Sequence, residues 1–278
     1  MEDLRNKVNE KISLLEQLTE LKAEEQRLAK ELTELETLVA QEQADVDKLT
    51  GFSLKGLALQ LRGRKEEVLE QEQREARYAK SNFDHADLRL QGVRQQRKEI
   101  AFRLDELVDC EKELHQAITE KMRKDPFPEE TAAIENLERV LVDAKQLRTM
   151  LPDVRREVDA YYTELGDLRK DIWSMMRRDK AAEVAQEALD PFVKLACDIG
   201  PRLNKLGYPA GLSRFAEFDS QYLTDALFGR SDRALTVLDE LRIANINLDR
   251  VIPKMELQLQ KMKLEFMRML VDASISYI

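Results

Sequence analysis

The chain has 278 residues, of which 36% are charged and only 6% aromatic, with nine Gly and seven Pro. So few chain breakers among so many charges exclude a turn-rich α/β or β architecture and point to long helices with wide solvated faces. A net charge of −9 argues against nucleic acid as a partner, because phosphate neutralisation needs clustered Lys and Arg.

The N-terminus (MEDLRNKVNE) is charged from the start and has no apolar core of a signal peptide. No apolar run approaches the ~20 residues of a membrane span. A cytoplasmic location is the expectation. A first helix is predicted from about Glu2 to Leu49. Its apolar residues (Leu14, Leu18, Leu21, Leu28, Leu32, Leu35, Val39, Val46, Leu49) alternate at four- and three-residue steps, the spacing of a coiled-coil seam. Lys11, Glu25 and Glu42 occupy seam positions with the wrong chemistry.

Gly51, Gly56 and Gly63 break the pattern between residues 50 and 64. This tip combines Phe52, Leu54, Leu57 and Leu61 with Lys55, Arg62 and Arg64. A compact cap between two helix ends explains such a composition. It also suits docking on a protein partner, or shallow anchoring on an anionic membrane surface.

A second helix is predicted from about Lys65 to Lys124, ended by Asp125-Pro126-Phe127-Pro128. Its seam runs through Ala76, Ala79, Phe83, Ala86, Leu90, Val93, Ile100, Leu104, Leu107, Leu114 and Ile118, with Arg97 and Glu111 off pattern. Folding it back on the first helix sets Leu14 against Leu107, Leu21 against Ile100, Leu28 against Val93, Leu32 against Leu90 and Val39 against Phe83. In that register Glu25 meets Arg97 and Lys11 meets Glu111. Shifted registers leave a charge facing Leu, which is costly, so these four residues are expected to fix the pairing. Residues 1–124 therefore read as an antiparallel coiled-coil hairpin. The competing arrangement pairs both helices with other chains.

Residues 129–278 read as a helical bundle. One helix is expected from about Glu129 to Thr149. A second begins near Pro152 and continues, through Val154, Val158, Tyr161, Leu165, Leu168, Ile172 and Met175, towards Asp190. Phe192 to Leu206 should be shorter and broken or kinked at Pro201. Gly207 to Gly211 is a loop, and a short helix lies around Phe215 to Phe228. A last helix capped by Ser231 or Asp232 carries Ala234, Leu238, Leu241, Asn245, Leu248, Ile252 and Met255 as its seam, with a kink at Pro253. Asn245 is the lone polar seam member. Met255, Met262, Met267 and Met269 are expected in the core, and Trp173 at its edge.

No constellation for chemistry appears. Phosphate-binding, dinucleotide and metalloprotease motifs are missing, as is a nucleophile elbow. His85 lies between Asp84 and Asp87, yet neighbours so close on a helix point apart. His115 stands four residues from Glu111 without the further Glu-x-x-His sets of a di-iron bundle. Cys110 and Cys197 form no disulfide or zinc spacing. No catalytic residue, cofactor or metal is expected. The chain reads as a non-enzymatic scaffold or adaptor that assembles with itself or with protein partners. The alternative is a peripheral membrane-binding or membrane-remodelling protein acting through the tip.

The stretches Leu49-Thr50-Gly51-Phe52-Ser53 and Gly63-Arg64-Lys65-Glu66-Glu67, with Glu75-Ala76, Ala79-Lys80 and Asp84, resemble uncharacterised bacterial coiled-coil proteins. Phe215-Ala216-Glu217-Phe218 with Leu223 to Leu227 is similar to a later segment of the same group. The resemblance implies a helical fold and carries no activity or site residue. In form the hairpin also resembles arms of SMC-like and ESCRT-III-like proteins, although no ATPase head accompanies it.

Overall fold

A computed structural model describes residues 1–50, 65–166, 172–224 and 230–275. Among them the protein is all-α: six α-helices, one 3-10 helix and no strand. The helices are α1 (Glu2–Thr50), α2 (Lys65–Glu106), α3 (Cys110–Met122), α4 (Pro128–Leu165), α5 (Ile172–Lys205) and α6 (Arg230–Ile275), with the 3-10 helix at Leu212–Glu217. Two compact units arise: Met1–Lys124 with Met267–Ile278, and Asp125–Phe266. The division at Lys124 is where the sequence turns to Asp125-Pro126. The C-terminal part of α6 joins the first unit rather than the bundle.

In the first unit α1 packs along α2 and α3. Positions 14, 18, 21, 25, 28, 32, 35, 39, 42, 46 and 49 of α1 are all buried or half-buried, so the stripe of the sequence loses solvent along its length, together with flanking positions such as 15, 24, 29 and 45. Leu28, Leu90 and Val93 form a buried cluster, with Leu21 and Leu32 packed on it. Glu25 pairs with Arg97, Glu24 with Arg89 and Glu10 with Arg103, so the two helices run in opposite directions.

The second predicted helix is not continuous. It stops at Glu106, turns through Leu107–Asp109 and resumes at Cys110. The Leu107 and Cys110 amides bond three residues back, to Leu104 and Leu107. Tight bonds of this kind end a helix. The Lys11 ammonium binds the Leu107 and Val108 carbonyls, which stabilises the break. Helix α3 ends on Arg123 in the left-handed region (φ 54°), and Pro128 opens α4 at a position where a missing N–H costs nothing.

The second unit is built on α4, α5 and the first part of α6. Salt bridges Lys145–Glu256, Arg148–Asp249 and Lys263–Glu138 hold α4 antiparallel to α6. Arg202–Asp143 and Arg177–Glu164 hold it antiparallel to α5. The core gathers Leu147, Val158, Tyr161, Leu189, Phe192, Ile199, Phe215, Leu241, Leu248 and Met255, all essentially without solvent.

Several expectations are corrected here. Helix α4 runs through Pro152, α5 through Pro191 and Pro201, and α6 through Pro253, so no helix is broken at any of them. All four prolines are exposed, as are Arg148, Glu187, Cys197 and Asp249, whose carbonyls lose their helical donor to each ring. These residues lie on the solvated side of each helix, where a freed carbonyl costs least, and the apolar face opposite continues unbroken. The expected helix from Pro152 towards Asp190 instead ends at Leu165, and its later part is the antiparallel α5. Ser174 takes the buried position there, while Trp173 (73% exposed), Met175 and Met176 face out. Asn245 is exposed, and Ala244 lies in the seam in its place. A short 3-10 helix replaces the longer helix expected around Phe215. Met255 and Met267 are buried, and Met262 and Met269 half-buried.

Candidate functional site

Side-chain chemistry in the first unit concentrates along the seam between α1 and the α2–α3 segment. Lys11, on α1, lies 2.5 Å from the Glu111 carboxylate in the first turn of α3. Its ammonium also donates to the carbonyls of Leu107 and Val108, each at 2.9 Å. The Lys11 side chain retains only 11% of its exposure. All three ammonium protons thus have acceptors, the condition under which burying a charge is tolerable. Two heptads on, Glu25 accepts from Arg97 and, at 3.1 Å, from Arg94.

The four seam charges named from the sequence therefore stand in two opposite-sign contacts, Lys11 with Glu111 and Glu25 with Arg97. Arg103 adds a two-pronged contact to Glu10, at 2.6 and 3.0 Å, and this pairing holds the Glu10 carboxyl below the usual carboxylate range. Sequence reasoning missed this pair, since neither residue is on the apolar stripe. Val39 and Phe83 are both half-buried. The tip residues Phe52, Leu54, Lys55, Leu57, Leu61, Arg62 and Arg64 lie outside the described residues.

Cys110 is buried beside the Lys11–Glu111 pair, its thiol 3.7 Å from the Glu111 carboxylate. Burial pushes the thiol up to about 11, with the neighbouring Glu111 acting in the same direction and Lys11 against it. Such a thiol is the opposite of an activated nucleophile, which needs a depressed pKa. Cys197 is exposed, its thiol raised by partial burial.

The third off-pattern residue of α1 has a different setting. Carboxylate oxygens of Glu42, Glu72 and Glu75 lie within 4.8 Å of one another. The sequence reading found no metal ligand and did not connect these three, because their proximity depends on pairing two helices. Neither histidine belongs to the group, and His85 is exposed. Beside it an open groove of about 360 Å³ is lined by Leu38, Glu42, Arg74, Glu75, Tyr78 and Ala79. A second, of about 510 Å³, passes Leu14, Leu21, Glu24, Ile100 and Arg103. Both are open surface features of the helix pair.

The second unit holds its polar chemistry in a structural role. Gln186, 4% exposed, accepts from the Leu223 amide at 2.8 Å and donates to the Asp219 carbonyl at 3.0 Å. The Tyr161 hydroxyl donates to the Leu223 carbonyl at 3.2 Å. Arg233 donates to the Tyr222 carbonyl and covers the Tyr222 ring at 5.1 Å. These bonds satisfy the irregular backbone around Leu223, the buried residue of the segment. Compared with family models, curated proteins and solved structures, the chain matches none.

Proposed function

We propose that the protein is a non-enzymatic scaffold, in which α1 and the α2–α3 segment form an antiparallel coiled-coil hairpin that holds copies of the chain or protein partners at fixed spacing. The observation that carries this reading is the seam itself. A heptad stripe is half-buried along the whole of α1, and two of its three charged interruptions, Lys11 and Glu25, lie against opposite charges. Lys11, Glu25, Arg97 and Glu111 act in this reading as register-setting residues, because any slip strands a partly buried charge. A helix of 49 residues at 1.5 Å rise extends about 70 Å, a length suited to spacing rather than to enclosing a substrate.

The test is light scattering coupled to size-exclusion chromatography over a wide range of concentration, together with affinity capture under native conditions. The scaffold reading expects a concentration-dependent assembly or a stoichiometric protein partner. A chain that is monomeric throughout and recovers no partner overturns it.

A further inference from the structure

We propose that the groove between α1 and α2 floored by Leu14, Leu21 and Ile100 receives residues 51–64 of a second copy of the chain. The proposal rests on the self-assembly part of the scaffold reading and names the two surfaces that meet. The groove has a volume of about 510 Å³ and opens to solvent along the helix pair. Its three apolar floor residues are half-buried, and its rim carries the carboxylates of Glu20, Glu24 and Glu99.

That rim keeps a surplus of negative charge. Glu20 has no ion pair among the described residues, and Glu99 accepts from the neutral amide of Gln95 at 2.9 Å. Glu24 is shared loosely between Arg27 at 3.5 Å and Arg89 at 3.8 Å. Arg103, at one end of the groove, is already held by Glu10 and Glu106, so it does not offset the rim. Residues 51–64 match the groove on both counts. They carry Phe52, Leu54, Leu57 and Leu61 for an apolar floor, and Lys55, Arg62 and Arg64 with no acidic residue among them for an acidic rim.

Chain length decides which copy supplies the segment. Glu24 is the groove residue of α1 nearest its C-terminal end, and about 39 Å of helix separates it from Thr50. A segment of fourteen residues tethered at both ends reaches out by half its extended length, about 25 Å. The tip of one chain therefore falls short of its own groove and meets that of another. The contact joins two different surfaces, so two copies close it reciprocally or a row of copies extends it.

Sedimentation equilibrium of the full chain tests this with two charge-reversed variants: Glu20→Lys with Glu99→Lys in the groove, and Lys55→Glu with Arg62→Glu in the tip. The wild type should self-associate, and less tightly as salt is raised. Each variant alone sets like charges together and should weaken association by roughly tenfold or more. An equal mixture of the two should regain the wild-type affinity, because the reversed groove of one then meets the reversed tip of the other and the unreversed pair still matches. Glu20 and Glu99 are exposed, so the groove variant should unfold at the wild-type temperature, which separates lost association from lost folding. Gln17→Cys and Ser53→Cys on separate chains, each with Cys197→Ser, should join as a reducible heterodimer under mild oxidation. Self-association indifferent to both reversals, a mixture of folded variants that regains nothing, or separate chains that do not cross-link overturns the groove contact and leaves self-assembly standing. Flotation on phosphatidylserine vesicles that Lys55→Glu with Arg62→Glu abolishes, while self-association stays unchanged, assigns the tip to a membrane and overturns it likewise. A wild type monomeric at every concentration overturns both the contact and self-assembly.

Discussion

Lys11 and Glu111 face each other at 2.5 Å between α1 and α3, at the point where the α2–α3 segment breaks its helix. The same ammonium occupies the carbonyls of Leu107 and Val108, so one α1 side chain satisfies the end of α2 and the start of α3 together. Lys11→Met keeps the stem and removes the charge. It removes the donor from the Val108 carbonyl and from a partly buried carboxylate, leaves the Leu107 carbonyl only its long bond from the Cys110 amide, and should cost about 3 kcal/mol. Urea unfolding measures this. Adding Glu111→Gln should recover part of the loss, and strictly additive losses would show the two groups to be uncoupled.

Glu25 receives two guanidinium groups, Arg94 and Arg97, at a seam position. Glu25→Arg sets three cations together and should destabilise the hairpin by about 2 kcal/mol or more. The charge-swapped double variant Glu25→Arg with Arg97→Glu should regain most of that loss. Equal stability of single and double variants would remove the pair's role in fixing register.

The two cysteines should behave differently towards a thiol reagent. Exposed Cys197 reacts in the native protein, and buried Cys110 reacts only on unfolding. The sign of the pH effect follows from the raised Cys110 thiol. Between about pH 9 and the folded value of about 11, the unfolded chain has lost the proton that the folded chain keeps. Stability therefore falls as pH rises through that window, and the Cys110 contribution is intact below it. A Cys110→Ala variant should show a shallower alkaline decline.

Gln186 carries the buried end of the segment at residues 219–224. Gln186→Leu nearly retains its volume and leaves the buried Leu223 amide without its acceptor, while the Asp219 carbonyl keeps the Tyr222 amide, at a cost of about 2 kcal/mol. Tyr161→Phe removes one donor to the Leu223 carbonyl and should cost about 1 kcal/mol. Thermal unfolding distinguishes the two by the size of the shift.

Trp173 is the single tryptophan of the chain and is largely exposed. Its emission should already be that of a solvated indole in the native state and change little on unfolding, and acrylamide should quench it freely. A native spectrum shifted strongly to the blue would place Trp173 inside an assembly instead.

The sequence by itself determined that the chain is helical, where α1 lies, and which of its residues form the buried stripe. Those properties are local: a period near 3.5, few breakers and a Pro-rich stop at residues 125–128 are written in neighbouring residues. The contacts of Lys11 with Glu111 and Glu25 with Arg97 were also legible, because a charge on an apolar stripe needs a partner and an antiparallel pair leaves little choice of where to find it. Tertiary structure decided the rest. Whether Pro152, Pro191, Pro201 and Pro253 break a helix depends on whether the residue whose carbonyl each one frees is on a solvated face, and here all four are exposed. Which of Ala244 and Asn245 is buried, and that Trp173 faces out, depends on where α4, α5 and α6 meet. The break at Leu107–Asp109 depends on a lysine from another helix being there to stabilise it. The meeting of Glu42 with Glu72 and Glu75 likewise exists only once the helices are paired, since residues so distant in sequence share a surface only through packing.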